Sequence, residues 1–274
     1  MSISGKVVAI TGAASGIGLA ASKLFAKSGA TVLMSDLDAA ALEAAAAEIR
    51  KDAPTAQSFP ADVTKPADVE ALVQEARKAH GRLDVMVNNA GVLVTGPFDA
   101  MTEETLARHI EVNLLGVMYG TLAAARLMRA QPGGGHIVNI ASLAGLSAVP
   151  GAAAYCASKF GVRGWTLSCA QELRDTPVRL TVICPDAVET PMVERAAAEA
   201  GSPIIFSGTT LTVDRVARAI VQAVEKPRRE VCIPAHRGFL AKMGSLFPDT
   251  GDWLLALFER TGRANIARRG RTGG

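Results

Sequence analysis

Aromatic residues are scarce in this chain: Phe, Trp and Tyr together make up 4% of its 274 residues. Hydrophobic residues nevertheless reach 49%, so the core must be aliphatic. It is large enough for one sizeable α/β domain and excludes a disordered or fibrous chain. Cysteine is also sparse, and Cys156, Cys169, Cys184 and Cys232 form no C-x-x-C pair. A chain of this size does not need disulfides, so reduced, buried thiols are expected. The histidines (His80, His109, His136 and His236) show no zinc-like spacing, and no metal is expected. No run of about 18 apolar residues occurs, so no membrane span is expected. The N-terminus lacks a cleavable secretory pattern, because its first apolar run leads straight into a glycine loop. A cytoplasmic location is therefore the expectation. Neither an internal repeat nor a dividing linker is visible.

The net charge of +3 points weakly to an anionic partner, but its distribution argues against one. Five arginines (260, 263, 268, 269 and 271) lie in residues 260–274 with no acid, which leaves residues 1–259 at −2. A short basic tail of this kind reads as a solvated end. No nucleic-acid partner is expected.

What the chain does contain is an alternation of strand and helix signals. Short apolar β-rich runs at 7–10, 31–34, 83–87, 136–140, 178–183 and 231–233 read as strands, with another ending at Asp62 and Val63. Apolar residues at helical spacing fill 17–27, 39–50, 66–80, 102–112, 113–130, 155–173 and 212–225. Strands separated by helices imply parallel pairing through right-handed crossovers. Their unbroken apolar character fits a sheet covered on both faces. The expected fold is an α/β Rossmann-type doubly wound parallel sheet of about seven strands, with helices on both faces. The expected organisation is one domain over 1–235, a helical extension over 236–260 and a basic tail over 261–274. In the extension, Phe239, Leu240, Met243, Leu246 and Phe247 suggest one helix, and Trp253, Leu254, Leu257 and Phe258 another. The extension reads as packed on the domain, as a subunit contact, or as a lid.

Gly12, Ser15, Gly16, Ile17 and Gly18 fall between the first strand and first helix. Glycine permits a tight turn there and a close approach of pyrophosphate to backbone N–H groups at a helix N-terminus. Asp36 ends the second strand, where a carboxylate accepts from ribose hydroxyls and repels a 2′-phosphate. No Lys or Arg lies in 12–22, so NAD is expected over NADP. Asp36 or Asp38 could instead cap the next helix. Asp62 and Val63 could frame an adenine, or serve as a plain turn. Asn88, Asn89, Ala90 and Gly91 end the fourth strand and let the backbone pass close to a cofactor.

Tyr155 and Lys159 stand four residues apart on a helix and share a face. A phenol of pKa ~10 is a poor base at neutral pH, and an adjacent ammonium and a cationic nicotinamide favour its ionised form. Lowering it by about two or three pKa units corresponds to about 3–4 kcal/mol. Tyr155 could then take a proton from a substrate alcohol as hydride leaves. Ser142 could orient the same oxygen, and Asn113 could hold a water linking Lys159 to solvent.

Over about residues 5–235 the chain resembles the short-chain dehydrogenase/reductase family. Thr11, Gly12, Gly16, Ile17 and Gly18 match its glycine loop, and Asp36 its cofactor-selecting position. Asp62, Asn88, Ala90 and Gly91 match the adenine side, and Asn113, Ser142, Tyr155 and Lys159 the catalytic tetrad. The resemblance implies a homodimer or homotetramer. It also implies that Pro185, Val188 and Thr190 lie at the nicotinamide, the latter two at its carboxamide. Two features depart from the family: Asp186 stands where it commonly has glycine, and the usual glycine-rich C-terminal strand ending is missing.

The substrate is expected to be a lipophilic secondary alcohol or ketone. Met192, Val193, Ile204, Ile205 and Phe206, with Leu143, Leu146, Val149, Val92, Leu93 and Val94, could line an apolar cleft. If these residues are core instead, a small polyol or hydroxy acid fits better. A non-catalytic dinucleotide sensor, or an interaction module acting through the tail, is the alternative from another class.

Overall fold

Short runs rich in Val and Ile pair side by side in the computed structural model, which describes residues 2–198, 202–208, 210–246, 259–262 and 265. The strands are β1 (Val7–Thr11), β2 (Thr31–Ser35), β3 (Ala56–Ser58), β4 (Val85–Asn88), β5 (Gly135–Ile140), β6 (Val178–Pro185) and β7 (Glu230–Ile233). They form one seven-stranded sheet in the order β3-β2-β1-β4-β5-β6-β7, parallel throughout. The helices are α1 (Gly16–Lys27), α2 (Ala39–Arg50), α3 (Pro66–His80), α4 (Glu103–Ile110), α5 (Gly116–Ala130), α6 (Ala153–Glu172), α7 (Pro191–Ala198), α8 (Val213–Glu225) and α9 (Ala235–Leu246).

Alternation along each strand divides the core in two. Val8 and Ile10 of β1 face Phe25 of α1, Leu42 of α2 and Ile220 of α8. Val7 and Ala9 face Leu72 of α3 and Leu127 of α5, with Cys169 of α6 at the margin. Both faces are thus covered, as the continuous apolar strands require. The chain runs to opposite sides from β1 and β4, and this switch point opens a crevice at the strand C-termini.

Three local features differ from the sequence reading. The third strand is only Ala56–Ser58, and Phe59 and Ala61 continue its pairing through bonds from their N–H groups to Met34 O (2.8 Å) and Asp36 O (3.1 Å). The expected helix pair at 102–130 is continuous, joined by a π-helical turn at Glu111–Leu115. Met192 and Val193, for which no helix was expected, lie on α7. The second helix expected in the extension, and Phe247, lie outside the described residues, as does the tail apart from residues 261, 262 and 265.

The four thiols are free, as expected; Cys156 and Cys184 are buried, while Cys169 and Cys232 are partly exposed. Among the described residues, Cys184, Glu230 and Cys232 are the one group whose ligand atoms lie close enough to share a metal. Arg163 and Lys242 already bridge the Glu230 carboxylate. None of the four histidines belongs to that group.

His136 is buried in β5 with Nε2 2.9 Å from Thr181 Oγ1, and desolvation pushes its pKa down to about 4. The unfolded chain takes up this proton below about pH 6.5, whereas the folded chain resists it until about pH 4. Stability contributed by the neutral ring is therefore present above pH 6.5 and is lost as pH falls, by about 3 kcal/mol at most. Urea unfolding of the wild type and of His136→Asn at pH 7 and pH 5 measures this. The wild type is expected to lose more stability than the variant over that interval.

Candidate active site

Each strand at the switch point delivers one part of a single cleft of about 860 Å³. The residues predicted for cofactor and catalysis line it, except Thr11, Gly18, Asn88 and Asn113, which are buried behind its wall.

At one end, β1 turns into α1 through Gly12 (φ +66°) and Gly16 (φ +54°). A Cβ on Gly12 would lie 2.8 Å from Ala90 Cα, and one on Gly18 would lie 2.0 Å from Gly12 O, so both positions require glycine. Asn89 locks this turn: its Nδ2 donates to Thr11 O (3.0 Å) and Gly12 O (3.1 Å), and its backbone N–H donates to Thr11 Oγ1 (3.0 Å). Ser15, the N-cap of α1, makes no side-chain capping bond. The first-turn N–H groups of α1 are therefore left to the cleft, the arrangement that receives a phosphate. A Cβ on Gly16 would come within 3.3 Å of Thr190 Cγ2, narrowing the cleft between the loop and the 185–190 segment. These features fit a dinucleotide.

Asp36 and Asp38 divide the two roles left open by the sequence. Asp38 caps α2, accepting from Ala40 N and Ala41 N. Asp36 lines the cleft, held by bonds from Ala14 N (3.1 Å) and Asp38 N (3.3 Å). Asp62 accepts from Thr64 N (3.0 Å) and Thr64 Oγ1 (2.7 Å), and these bonds outweigh burial and hold its carboxyl below the usual range. Deeper, Asn88 of β4 bonds Asn139 of β5 at 2.8 Å across the registered strand pair.

At the other end, Ser142 follows β5, and its hydroxyl accepts from Ala144 N (3.1 Å) and donates to Pro185 O (3.4 Å). Tyr155 and Lys159 share one face of α6, with Nζ 5.6 Å from the phenol ring centre. Lys159 Nζ donates to Ile140 O (2.9 Å), and burial pulls its pKa down to about 8. Burial pushes the Tyr155 phenol up to about 12, against the opposing bond with Ser142. With the protein's own groups alone, desolvation thus outweighs the expected activation by the amine. At neutral pH the phenol is therefore protonated.

The π-helical turn swings Asn113 inward. Its Oδ1 accepts from Val92 N (2.7 Å), and Nδ2 donates to Val92 O (2.9 Å) and Ser158 Oγ (3.1 Å). These bonds fix the chain after Gly91 against α6. No motif marks His109, which is buried and meets the Tyr155 ring edge-on (centroids 6.4 Å apart, planes at 80°). Its Nε2 accepts from Val94 N (3.1 Å), leaving Nδ1 to donate to Thr105 O (2.8 Å).

Of the apolar residues expected around the substrate, Val92, Leu93, Leu143, Val149, Met192, Val193 and Ile204 line the cleft. Leu146 is core and Val94 is exposed. The side chains of Ile205 and Phe206 lie outside the described residues. Asp186 reaches the cleft and is ion-paired to Arg237 of α9 (Nε–Oδ2 2.5 Å). Five residues of α9, which no motif indicated, form part of the wall.

The short chain dehydrogenase family model matches residues 6–201. A 3beta-hydroxysteroid dehydrogenase 2 from Eggerthella lenta is 39% identical over 189 residues, covering 69% of this chain and 73% of its own length. A cyclopentanol dehydrogenase from Comamonas sp. is 37% identical over 209 residues, covering 76% of this chain and 83% of its own. A crystal structure of a short chain dehydrogenase/reductase from Burkholderia phymatum in complex with NAD superposes with a TM-score of 0.84 at 28% identity, covering 90% of this chain and 95% of that one. Sequence, sheet order and site geometry agree, and the chain belongs to the short-chain dehydrogenase/reductase family of oxidoreductases.

Proposed function

We propose that the protein is an NAD-dependent dehydrogenase or carbonyl reductase acting on a lipophilic secondary alcohol or ketone. The observation that carries this reading is the meeting of Ser142, Tyr155 and Lys159 with the glycine loop and Asp36 in one cleft. Gly12, Ser15, Gly16, Ile17 and Gly18 would hold the pyrophosphate, and Asp36 the adenosine ribose. Asp62 and Val63 would border the adenine. Asn89, Ala90 and Gly91 would back the cofactor, and Pro185, Val188 and Thr190 would meet the nicotinamide. That group supplies the hydride acceptor or donor, and in oxidised form a positive charge.

Tyr155 exchanges the proton of the substrate oxygen, as acid towards a ketone and as base towards an alcohol. Ser142 orients that oxygen and opposes the upward push on the phenol. Lys159 stands at the same face, and Asn113 holds the adjoining backbone, where a water would connect Lys159 to solvent. Support for NAD comes from the Asp36 carboxylate and from the NAD in the Burkholderia structure. Support for a lipophilic substrate comes from the apolar lining and from the names of the steroid and cyclopentanol relatives. Exposed Leu106, Leu122 and Phe160 on α4, α5 and α6 support self-association into a homodimer or homotetramer through the long helices.

Mixing the protein with NAD and secondary alcohols of increasing apolar size, while following cofactor reduction, tests this reading. Turnover that improves with apolar bulk is expected. Turnover confined to polyols or hydroxy acids contradicts the substrate class.

A further inference from the structure

In α9, Arg237, Leu240, Ala241, Gly244 and Ser245 all face the cleft. Their spacing of three, one, three and one residues marks one helical stripe. The helix is fastened on several sides. Arg237 pairs with Asp186 at 2.5 Å and donates from Nη2 to Ser207 Oγ at 3.0 Å. Its guanidinium crosses Gly208, where a Cβ would lie 2.8 Å from Nη1. Lys242 pairs with Glu230 of β7, and the Ser245 hydroxyl donates to Leu146 O. A Cβ on Gly238 would lie 2.2 Å from Cys232 Cβ, so the helix sits hard against β7. These contacts make α9 a fixed wall. Gly244 differs from the tight glycines, because a Cβ there meets nothing within 4 Å.

Resting on the proposed alcohol–ketone activity, we propose that α9 is the substrate-selecting wall of this cleft. Its small residues Ala241 and Gly244 leave room for a multi-ring apolar body, and the Asp186–Arg237 pair pins the wall in place. Asp186 thus has a positioning role, which explains a carboxylate where the family commonly carries glycine. Burial raises its pKa while the Arg237 guanidinium lowers it, so the pair is best held together. The rest of the lining includes apolar Leu143, Val149, Met192 and Ile204.

Gly244→Leu tests this directly, because leucine favours a helix more than glycine does and projects into the open space. Two measurements are made: calorimetric binding of a multi-ring ketone to the NAD-loaded protein, which has no hydride to give it, and kcat/KM with NAD for a multi-ring secondary alcohol relative to cyclopentanol. The variant is expected to bind the ketone about ten-fold or more weakly and to lower the kcat/KM ratio equally, through KM. A second variant, Asp186→Asn with Arg237→Met, removes both charges together and is expected to lower the same ratio through KM. Ketone binding equal in wild type and Gly244→Leu overturns the inference, whatever the turnover. Wild-type protein that binds the ketone but turns over no alcohol overturns the activity reading instead, and the weaker binding of the variant still supports the wall.

Discussion

Replacing Tyr155 by Phe is expected to lower kcat about 10³-fold while leaving NADH affinity nearly unchanged. The substitution removes one hydroxyl from a position where the ring is already packed by His109 and α6, so the fold is retained. Steady-state kinetics and an NADH titration on the same preparation separate the two effects. The pH profile carries a sign of its own. Burial holds the phenol protonated, up to about 12 in the protein alone, and an oxidised nicotinamide brings a positive charge that favours ionisation. Alcohol oxidation needs the ionised form and should rise with pH, and ketone reduction needs the protonated form and should fall. Residual activity in the variant should lose this opposition. A Tyr155→Phe protein with full turnover, or one with wild-type pH profiles, would show that another group moves the proton.

The second large effect concerns coenzyme choice. Asp36→Ala is expected to weaken NADH binding by about 10–100-fold, because hydrogen bonds to a charged group are worth about 1.5–3 kcal/mol. NADPH binding should strengthen, since a carboxylate no longer faces the 2′-phosphate. Asp36 also accepts from Ala14 N, so the substitution loosens the glycine loop and shifts binding of both coenzymes. The ratio of their affinities isolates the charge effect. Tighter binding of NADPH than NADH by the wild type would contradict the role given to Asp36.

Much of this was legible because local rules and tertiary structure agree. Apolar strands read as buried parallel strands, and Gly12, Gly16 and Gly18 occupy a turn that tolerates little else. The roles of Asp36 and Asp38 were ambiguous in sequence, since either suits a helix N-cap. Only the position of Ala14 decides that Asp36 turns back to the loop and Asp38 caps. The π-helical turn at Asn113 was not visible, because periodicity cannot register one extra residue inside a helix. The partner of Asp186 was hidden for another reason: Arg237 comes from α9, and no local pattern links the two positions. His109 was equally silent, a lone imidazole whose place beside Tyr155 depends on how α4 meets α6.

Following the label from a secondary alcohol deuterated at its carbinol carbon tests the central claim most directly. After incubation with NAD, deuterium on the nicotinamide ring of the recovered NADH, formed by the wild type and about 10³-fold more slowly by Tyr155→Phe, is the predicted result. Bound NAD with no deuterium transferred from any alcohol, or transfer at equal rates by both proteins, would contradict it.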